Sequence, residues 1–219
     1  MDSRFFSFFT RLADLILLNF IFLLTCLPIV TIGASFAALY QVGAAMADGR
    51  ESYIVRSYLA EWKKNFKQGT MVWALCAALL LLCRVNLSIL PSMPPGFVKI
   101  FLACFQFCTL FFLYGIALYS FSMPPIYKAS LGSMLKNALV LLFKYLPCTL
   151  LCLCIQALPF AVSLLAPRWA GLVLSIQMAA GFSTIAYIQS LILLHVYKKA
   201  GIIFYRNAKR TRHIAPSFF

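Results

Sequence analysis

The side chains best suited to ligand binding lie inside long apolar runs of this sequence. Arg84 and Asn86 occur two residues apart near the end of one run, and Gln106 and Gln177 lie in two later runs. A guanidinium or an amide in the interior of a membrane can bind an anion or the hydroxyl groups of a sugar. The same groups can instead reach the lipid headgroups or bond to neighbouring helices. These four residues are the candidate ligand-binding residues.

Patterns typical of catalysis or metal binding are missing from the sequence. It has five carboxylates, of which only Asp14 falls within an apolar run, and it contains no HExxH, GxSxG or Walker motif. The pairs Cys104/Cys108 and Cys148/Cys152 have the spacing of one helix face, but no His or carboxylate accompanies them. We interpret all eight cysteines as small buried apolar residues. The sequence therefore predicts no enzyme, no metal site and no cofactor.

Composition predicts a helical membrane protein. Hydrophobic residues make up 63% of the 219 residues and charged residues 11%. Soluble domains have about 45–50% apolar residues. Several continuous runs exceed the roughly 18 residues that a crossing needs, and their continuity excludes an alternating β-barrel pattern. We expect an all-α, polytopic fold with about six spans.

Basic residues set the expected orientation. The net charge is +14, and 16 of the 19 Lys and Arg residues fall in four clusters that alternate with nearly neutral loops. The positive-inside rule places such clusters, and both termini, in the cytoplasm. The charge is thus explained without nucleic acid. The clusters are Arg4 and Arg11; Arg50, Arg56, Lys63, Lys64 and Lys67; Lys128, Lys136 and Lys144; and Lys198, Lys199, Arg206, Lys209, Arg210 and Arg212.

The runs divide a single membrane domain into three helical hairpins with connecting segments. The hairpins are predicted at residues 12–47, 69–123 and 138–197, with two cytoplasmic interfacial helices at 50–66 and 124–137 and a basic tail at 198–219. Each interfacial segment carries an apolar stripe at helical spacing. Pro147 and Pro159 are expected to bend the fifth span.

The stretch CLPIVTIGAS marks the turn of the first hairpin. Pro28 and Gly33 disfavour helix and Thr31 adds a hydroxyl, so these three residues are predicted to form the turn, near the outer surface. Residues 31–47 carry small residues four positions apart, which suits a leg packed against protein. At 17 residues this leg is short, and it either crosses fully or re-enters.

The segment at 50–66 is the candidate surface for a partner. Aromatic residues and cations share it and the residues that follow, and a partner or the lipid headgroups could bind there. The predicted interface residues are Tyr58, Trp62, Lys63, Lys64, Asn65 and Lys67.

Short matches predict an internal repeat. Leu59, Lys64 and Asn65 recur 72 positions later as Leu131, Lys136 and Asn137. The three hairpins also end alike, in Leu39-Tyr40, Leu118-Tyr119 and Val196-Tyr197. We interpret the repeating unit as an interfacial helix followed by a hairpin.

The residues LPIVTIGAS, then Ala38–Tyr40, then EWKKNFKQGT resemble the YesL-like family of bacterial membrane proteins. The similarity is strongest in the first seventy residues. That family has no established activity, and its association with carbohydrate uptake implies a role connected with sugar import.

Two functions follow as hypotheses. The first is an accessory or scaffolding protein of the cell membrane that binds a sugar transporter or a membrane sensor. The second is a solute-binding or transport protein with a polar cavity between the hairpins. Broken helices with polar groups near the midplane are typical of transporters. This sequence has one conspicuous break, which favours the accessory role.

Overall fold

The structure, a computed structural model, describes residues 2–49, 53–123 and 130–200, with the side chains of the first helix described from Phe9 onward. Some predicted features therefore lie outside the described residues. They are the side chain of Arg4, the start of the first interfacial segment at 50–52, the start of the second at 124–129, and the tail from residue 201.

Eight α-helices account for most of the described residues. They are α1 (Asp2–Cys26), α2 (Ile32–Ala47), α3 (Ile54–Ile89), α4 (Phe97–Ser122), α5 (Leu131–Lys144), α6 (Leu146–Leu165), α7 (Ala170–Ile176) and α8 (Phe182–Lys199). A π-helical segment, Gln177–Gly181, joins α7 to α8, and short 3-10 turns lie at Ile29–Thr31, Leu90–Ser92 and Pro167–Trp169. The described residues contain no strand, so the predicted all-α class is confirmed.

Six helical stretches of the described residues are long and apolar enough to cross a membrane. This agrees with the predicted number. Large apolar side chains cover the outside of α4 and α6, as Phe97, Phe107 and Leu165 illustrate. So much exposed apolar surface is typical of helices in contact with lipid. The fold is compatible with a multi-pass membrane protein.

Helix α2 is the centre of the bundle. The stretch Ile29–Ala47 contains α2, and 67% of its 18-residue apolar part is buried, against 11–17% of the corresponding parts of the other five stretches. It packs against α1, α3, α4 and α8. Small residues allow this close approach on several sides. The prediction that this leg packs against protein is therefore confirmed.

The predicted boundary between an interfacial helix and the third span does not exist. Helix α3 runs from Ile54 to Ile89 without interruption, a length of 36 residues or about 54 Å. No proline occurs in it. Gly69 lowers the stability of the helix by about 1 kcal/mol. Its lack of a side chain also allows α3 to lie directly against Gly33 and Ala34 of α2.

The region around residue 138 also differs from the prediction. The second interfacial helix was expected to end at residue 137, but α5 continues through Ala138 to Lys144. Tyr145 breaks the helix, and Pro147 lies in the first turn of α6. Proline has no N–H to donate and suits the start of a helix, so Pro147 begins α6 rather than bending it. Pro159 does lie inside α6.

The turn between α1 and α2 is not at the predicted end of the bundle. It was expected beside the outer turn at Pro91–Gly96. Instead, Gly33 lies against Gly69, and the hydroxyl of Tyr58 lies 2.6 Å from Thr25 Oγ1. Gly69 is 20 residues, or about 30 Å of helix, from the end of α3 at Ile89. The turn thus lies at the amino-terminal half of α3, because α2 meets that half.

Candidate functional site

Two of the three predicted turn residues, Pro28 and Thr31, belong to a hydrogen-bonded turn, whereas the third, Gly33, lies in the first turn of α2. Helix α1 ends at Cys26 and a 3-10 turn follows Pro28. The Thr31 hydroxyl donates to the carbonyl oxygens of Thr25, at 2.6 Å, and Pro28, at 2.7 Å. Ser35 also donates to the Thr25 carbonyl, at 3.1 Å. These bonds satisfy backbone acceptors that the end of α1 leaves unpaired.

Tyr58 belongs to this turn and not to a partner surface. Its side chain is 0% exposed, and its hydroxyl contacts Thr25 and donates to the Ser35 carbonyl oxygen at 3.4 Å. Tyr58 was predicted to lie at the interface because it belongs to the apolar stripe of the segment at 50–66, whose residues recur at helical spacing. A buried stripe and a lipid-facing stripe have the same spacing. Tyr58 is therefore removed from the predicted interface.

The other predicted interface residues differ in exposure. Lys63, Lys64 and Lys67 are exposed, and we call them the α3 basic face. Trp62 is half-buried and packs edge-on against Phe66, with ring centroids 5.1 Å apart. Asn65 donates to the Glu61 carbonyl oxygen at 2.9 Å and to its carboxylate at 3.2 Å. Of the predicted interface residues, the three lysines are thus the ones that are exposed to a partner.

The structure brings two of the four predicted ligand-binding residues together, Asn86 and Gln106. Asn86 Nδ2 donates to Gln106 Oε1 at 2.9 Å and so links α3 to α4, whereas the Arg84 side chain is exposed. Gln177 lies in the π-helical segment, which packs against α1. Asn86 and Gln106 fit the alternative role of joining helices, and the structure does not bring all four residues into one site.

A different polar group lies in the centre of the bundle. The Tyr40 hydroxyl donates to Gln189 Oε1 at 2.5 Å, and Gln189 Nε2 donates to the Cys152 carbonyl at 3.0 Å. The same Nε2 lies 3.3 Å from the Tyr114 hydroxyl and 3.4 Å from Gln156 Oε1. We call Tyr40, Tyr114, Gln156 and Gln189 the polar cluster. It joins α2, α4, α6 and α8.

The sequence partly signalled this cluster. Gln156 and Gln189 are amides in apolar runs, and Tyr40 is one of the three tyrosines that end the hairpins. All three are buried, and each bonds to another helix: Tyr40 to Gln189, Tyr119 to Thr149 at 3.0 Å, and Tyr197 to Ser122 at 2.6 Å. Buried hydroxyl groups need such partners in a membrane interior.

A cavity of about 300 Å³ adjoins the polar cluster. It lies between α2, α3, α4 and α6, and none of its lining residues is charged. Aromatic and aliphatic side chains form most of its walls, and Tyr40, Tyr114 and Gln156 of the polar cluster contribute the hydroxyl and amide groups. The lining residues on which the binding argument below depends are Phe36, Tyr40, Trp73, Tyr114, Phe121 and Gln156. This is an apolar cavity with one polar end, unlike the predicted polar one.

Three of the eight cysteines depart from the prediction that all are buried. Cys104, Cys108 and Cys154 are exposed, and the remainder are buried or half-buried. The exposed ones lie on α4 and α6, where lipid-facing side chains predominate. A thiol is apolar enough to face lipid, so burial inside protein is not required.

The architecture defines the class as all-α, with six helices able to cross a bilayer. Among known protein families, one described as "Protein of unknown function, DUF624" matches residues 15–87. The matched region covers about half of α1, all of α2 and nearly all of α3, about a third of the chain. No curated protein and no solved structure matches the chain.

Proposed function

We propose that this chain is a non-catalytic accessory protein of the cell membrane that binds another membrane protein through the α3 basic face. The observation that carries the proposal is the exposure of Lys63, Lys64 and Lys67 on the part of α3 that precedes its apolar region. The proposed partner is a carbohydrate transporter or a membrane sensor. The resemblance to the YesL-like family is the basis for the link with carbohydrate uptake.

The walls of the cavity support the accessory role over transport of a polar solute. Sugars and ions need several polar groups around them to replace their water of hydration. The lining residues of this cavity are mainly aromatic and aliphatic. A polar-solute transporter would be favoured if purified protein bound monosaccharides saturably.

Photo-crosslinking tests the α3 basic face. A photoreactive phenylalanine analogue at Phe66, which is 38% exposed beside the lysines, should give one discrete protein adduct in cells. Changing Lys63, Lys64 and Lys67 to Arg keeps the charge but alters hydrogen-bond geometry, so we expect a severalfold loss of that adduct. The analogue at Leu165, an exposed position on α6, is the control and should not give it. An undiminished adduct in the arginine variant would indicate attraction by charge alone.

The proposed topology has both termini in the cytoplasm and a re-entrant first hairpin. Two observations support re-entry: the turn meets the amino-terminal half of α3, and its side chains Leu27, Ile29 and Val30 are apolar and exposed. Exposure of these apolar side chains to water would be unfavourable, whereas their contact with the hydrocarbon of the membrane would be favourable. Four crossings by the remaining hairpins still return every basic cluster to one side.

Cysteine labelling distinguishes re-entry from a full crossing. A membrane-impermeant maleimide applied to intact cells should label Ser92→Cys, in the outer turn, and should not label Val30→Cys. The native protein is the blank for its eight cysteines. Equal labelling at both positions would show that the first hairpin crosses completely, and labelling of Lys64→Cys would reverse the proposed orientation.

A further inference from the structure

The polar cluster leaves two hydrogen-bond donors at the cavity. Tyr114 accepts a hydrogen bond from Gln189, but its own hydroxyl hydrogen has no acceptor among the described residues. Gln156 Oε1 lies 3.4 Å from Gln189 Nε2, and the Nε2 of Gln156 likewise has no acceptor in the described part of the chain. Both residues line the cavity. Both side chains are half-buried. An acceptor on a bound molecule would give their unpaired hydrogens a partner, which favours binding of such a molecule.

The rest of the cavity restricts the body of that molecule. Phe36, Trp73 and Phe121 contribute flat aromatic walls, and the volume of about 300 Å³ is at the lower end of ligand sites. Transfer of an ion into such surroundings without a counter-charge would be strongly unfavourable. The occupant is therefore uncharged and mainly apolar.

The cavity has a rim on the lipid-facing side. Leu80 lines it and is also 41% exposed, eleven residues beyond Gly69 in the apolar part of α3. An apolar molecule dissolved in the bilayer thus has a route to the site that does not pass through water.

From these observations we propose that the cavity binds an uncharged apolar molecule by a carbonyl oxygen, which accepts hydrogen bonds from Tyr114 and Gln156. Two membrane components share this chemistry, an isoprenoid-type quinone and the acyl ester of a lipid. The site is independent of the α3 basic face, so its failure would leave the accessory role untouched.

Quenching of Trp73 fluorescence tests the proposal. Trp62→Phe and Trp169→Phe together leave Trp73, which lines the cavity, as the only tryptophan. In nanodiscs, decylubiquinone and a brominated phosphatidylcholine are the two probes. Saturable quenching by the quinone supports a quinone occupant, and stronger quenching by the brominated lipid than in the control supports a lipid ester. The control retains Trp169, 56% exposed, as its only tryptophan and should show only non-saturable quenching.

Two variants test separately the hydrogen-bond donor of Gln156 and the volume of the cavity. Gln156→Leu should weaken binding of the effective probe about tenfold, and Ala117→Phe, which fills the cavity, should abolish saturation. Gel filtration checks that each variant is folded. Quenching that is linear and equal for Trp73 and Trp169 would overturn the site, and unchanged affinity in Gln156→Leu would overturn the carbonyl contact.

Discussion

Gly33→Leu should prevent isolation of stable protein, because α2 and α3 are in backbone contact at this position. A Cβ atom on residue 33 would clash with the carbonyl oxygen of Gly69 and lie 2.6 Å from Trp73 Cβ. A backbone atom cannot move aside as a flexible side chain can. Overpacking of this kind costs about 3 kcal/mol or more. The measurement is the melting temperature and monodispersity in detergent.

Glycines in open surroundings provide the matched control. A Cβ at Gly171 meets no atom within 4 Å, so Gly171→Ala should leave the melting temperature unchanged or raise it. Gly69→Ala should be destabilising, since its Cβ would lie 2.9 Å from Ala34 Cα. If Gly33→Leu melts like the native protein, α2 and α3 do not touch there.

The reason for the effect of Gly33 differs from the one the sequence suggests. From the sequence, a side chain at Gly33 is expected to separate the legs of the first hairpin or strain the turn. The described residues include one glycine with a positive φ, Gly49, and Gly33 is helical. The partner is α3 instead of α1.

Asn19→Leu should destabilise the bundle by about 2 kcal/mol, because Asn19 satisfies two backbone groups in another helix. Its Nδ2 donates to the Met178 carbonyl oxygen at 2.6 Å, and its Oδ1 accepts from the Ser183 N–H at 3.1 Å. Asn19 is fully buried. Leucine has a similar size but bonds to neither group, so both would lose their partner.

Hydrogen exchange and thermal melting check this prediction. Exchange of the Ser183 amide should accelerate in Asn19→Leu, and the melting temperature should fall. Asn137→Leu, at an exposed asparagine of α5, is the matched control and should change neither quantity appreciably. Unaltered exchange at Ser183 would mean that the π-helical segment does not depend on Asn19.

Much of the helical architecture can be predicted from the sequence. Runs of apolar residues predict which segments can cross, and the small residues of α2 predict its close packing, since both follow from local composition. The break after Cys26 is also local, because Pro28 disfavours helix.

Contacts between helices cannot be predicted from local composition. Gly33 and Gly69, or Asn19 and Ser183, are far apart in sequence, and no periodicity shows which helix faces which. Trp62 and Tyr58 share one stripe, yet Tyr58 is completely buried and Trp62 only half-buried. The polar cluster likewise needs four helices to form, so Gln189 alone does not predict it.

The pairing of Asn19 with Met178 also constrains how the protein is made. The two residues are 159 positions apart, so α1 is synthesised long before its partner. At about 5–20 residues per second, the interval is roughly 10 to 30 s. During that time the Asn19 amide has neither of its final partners, and water, lipid headgroups or the insertion machinery must solvate it. Helix α1 therefore completes its bonding long after its own synthesis, and a chain that stops before residue 178 cannot complete it.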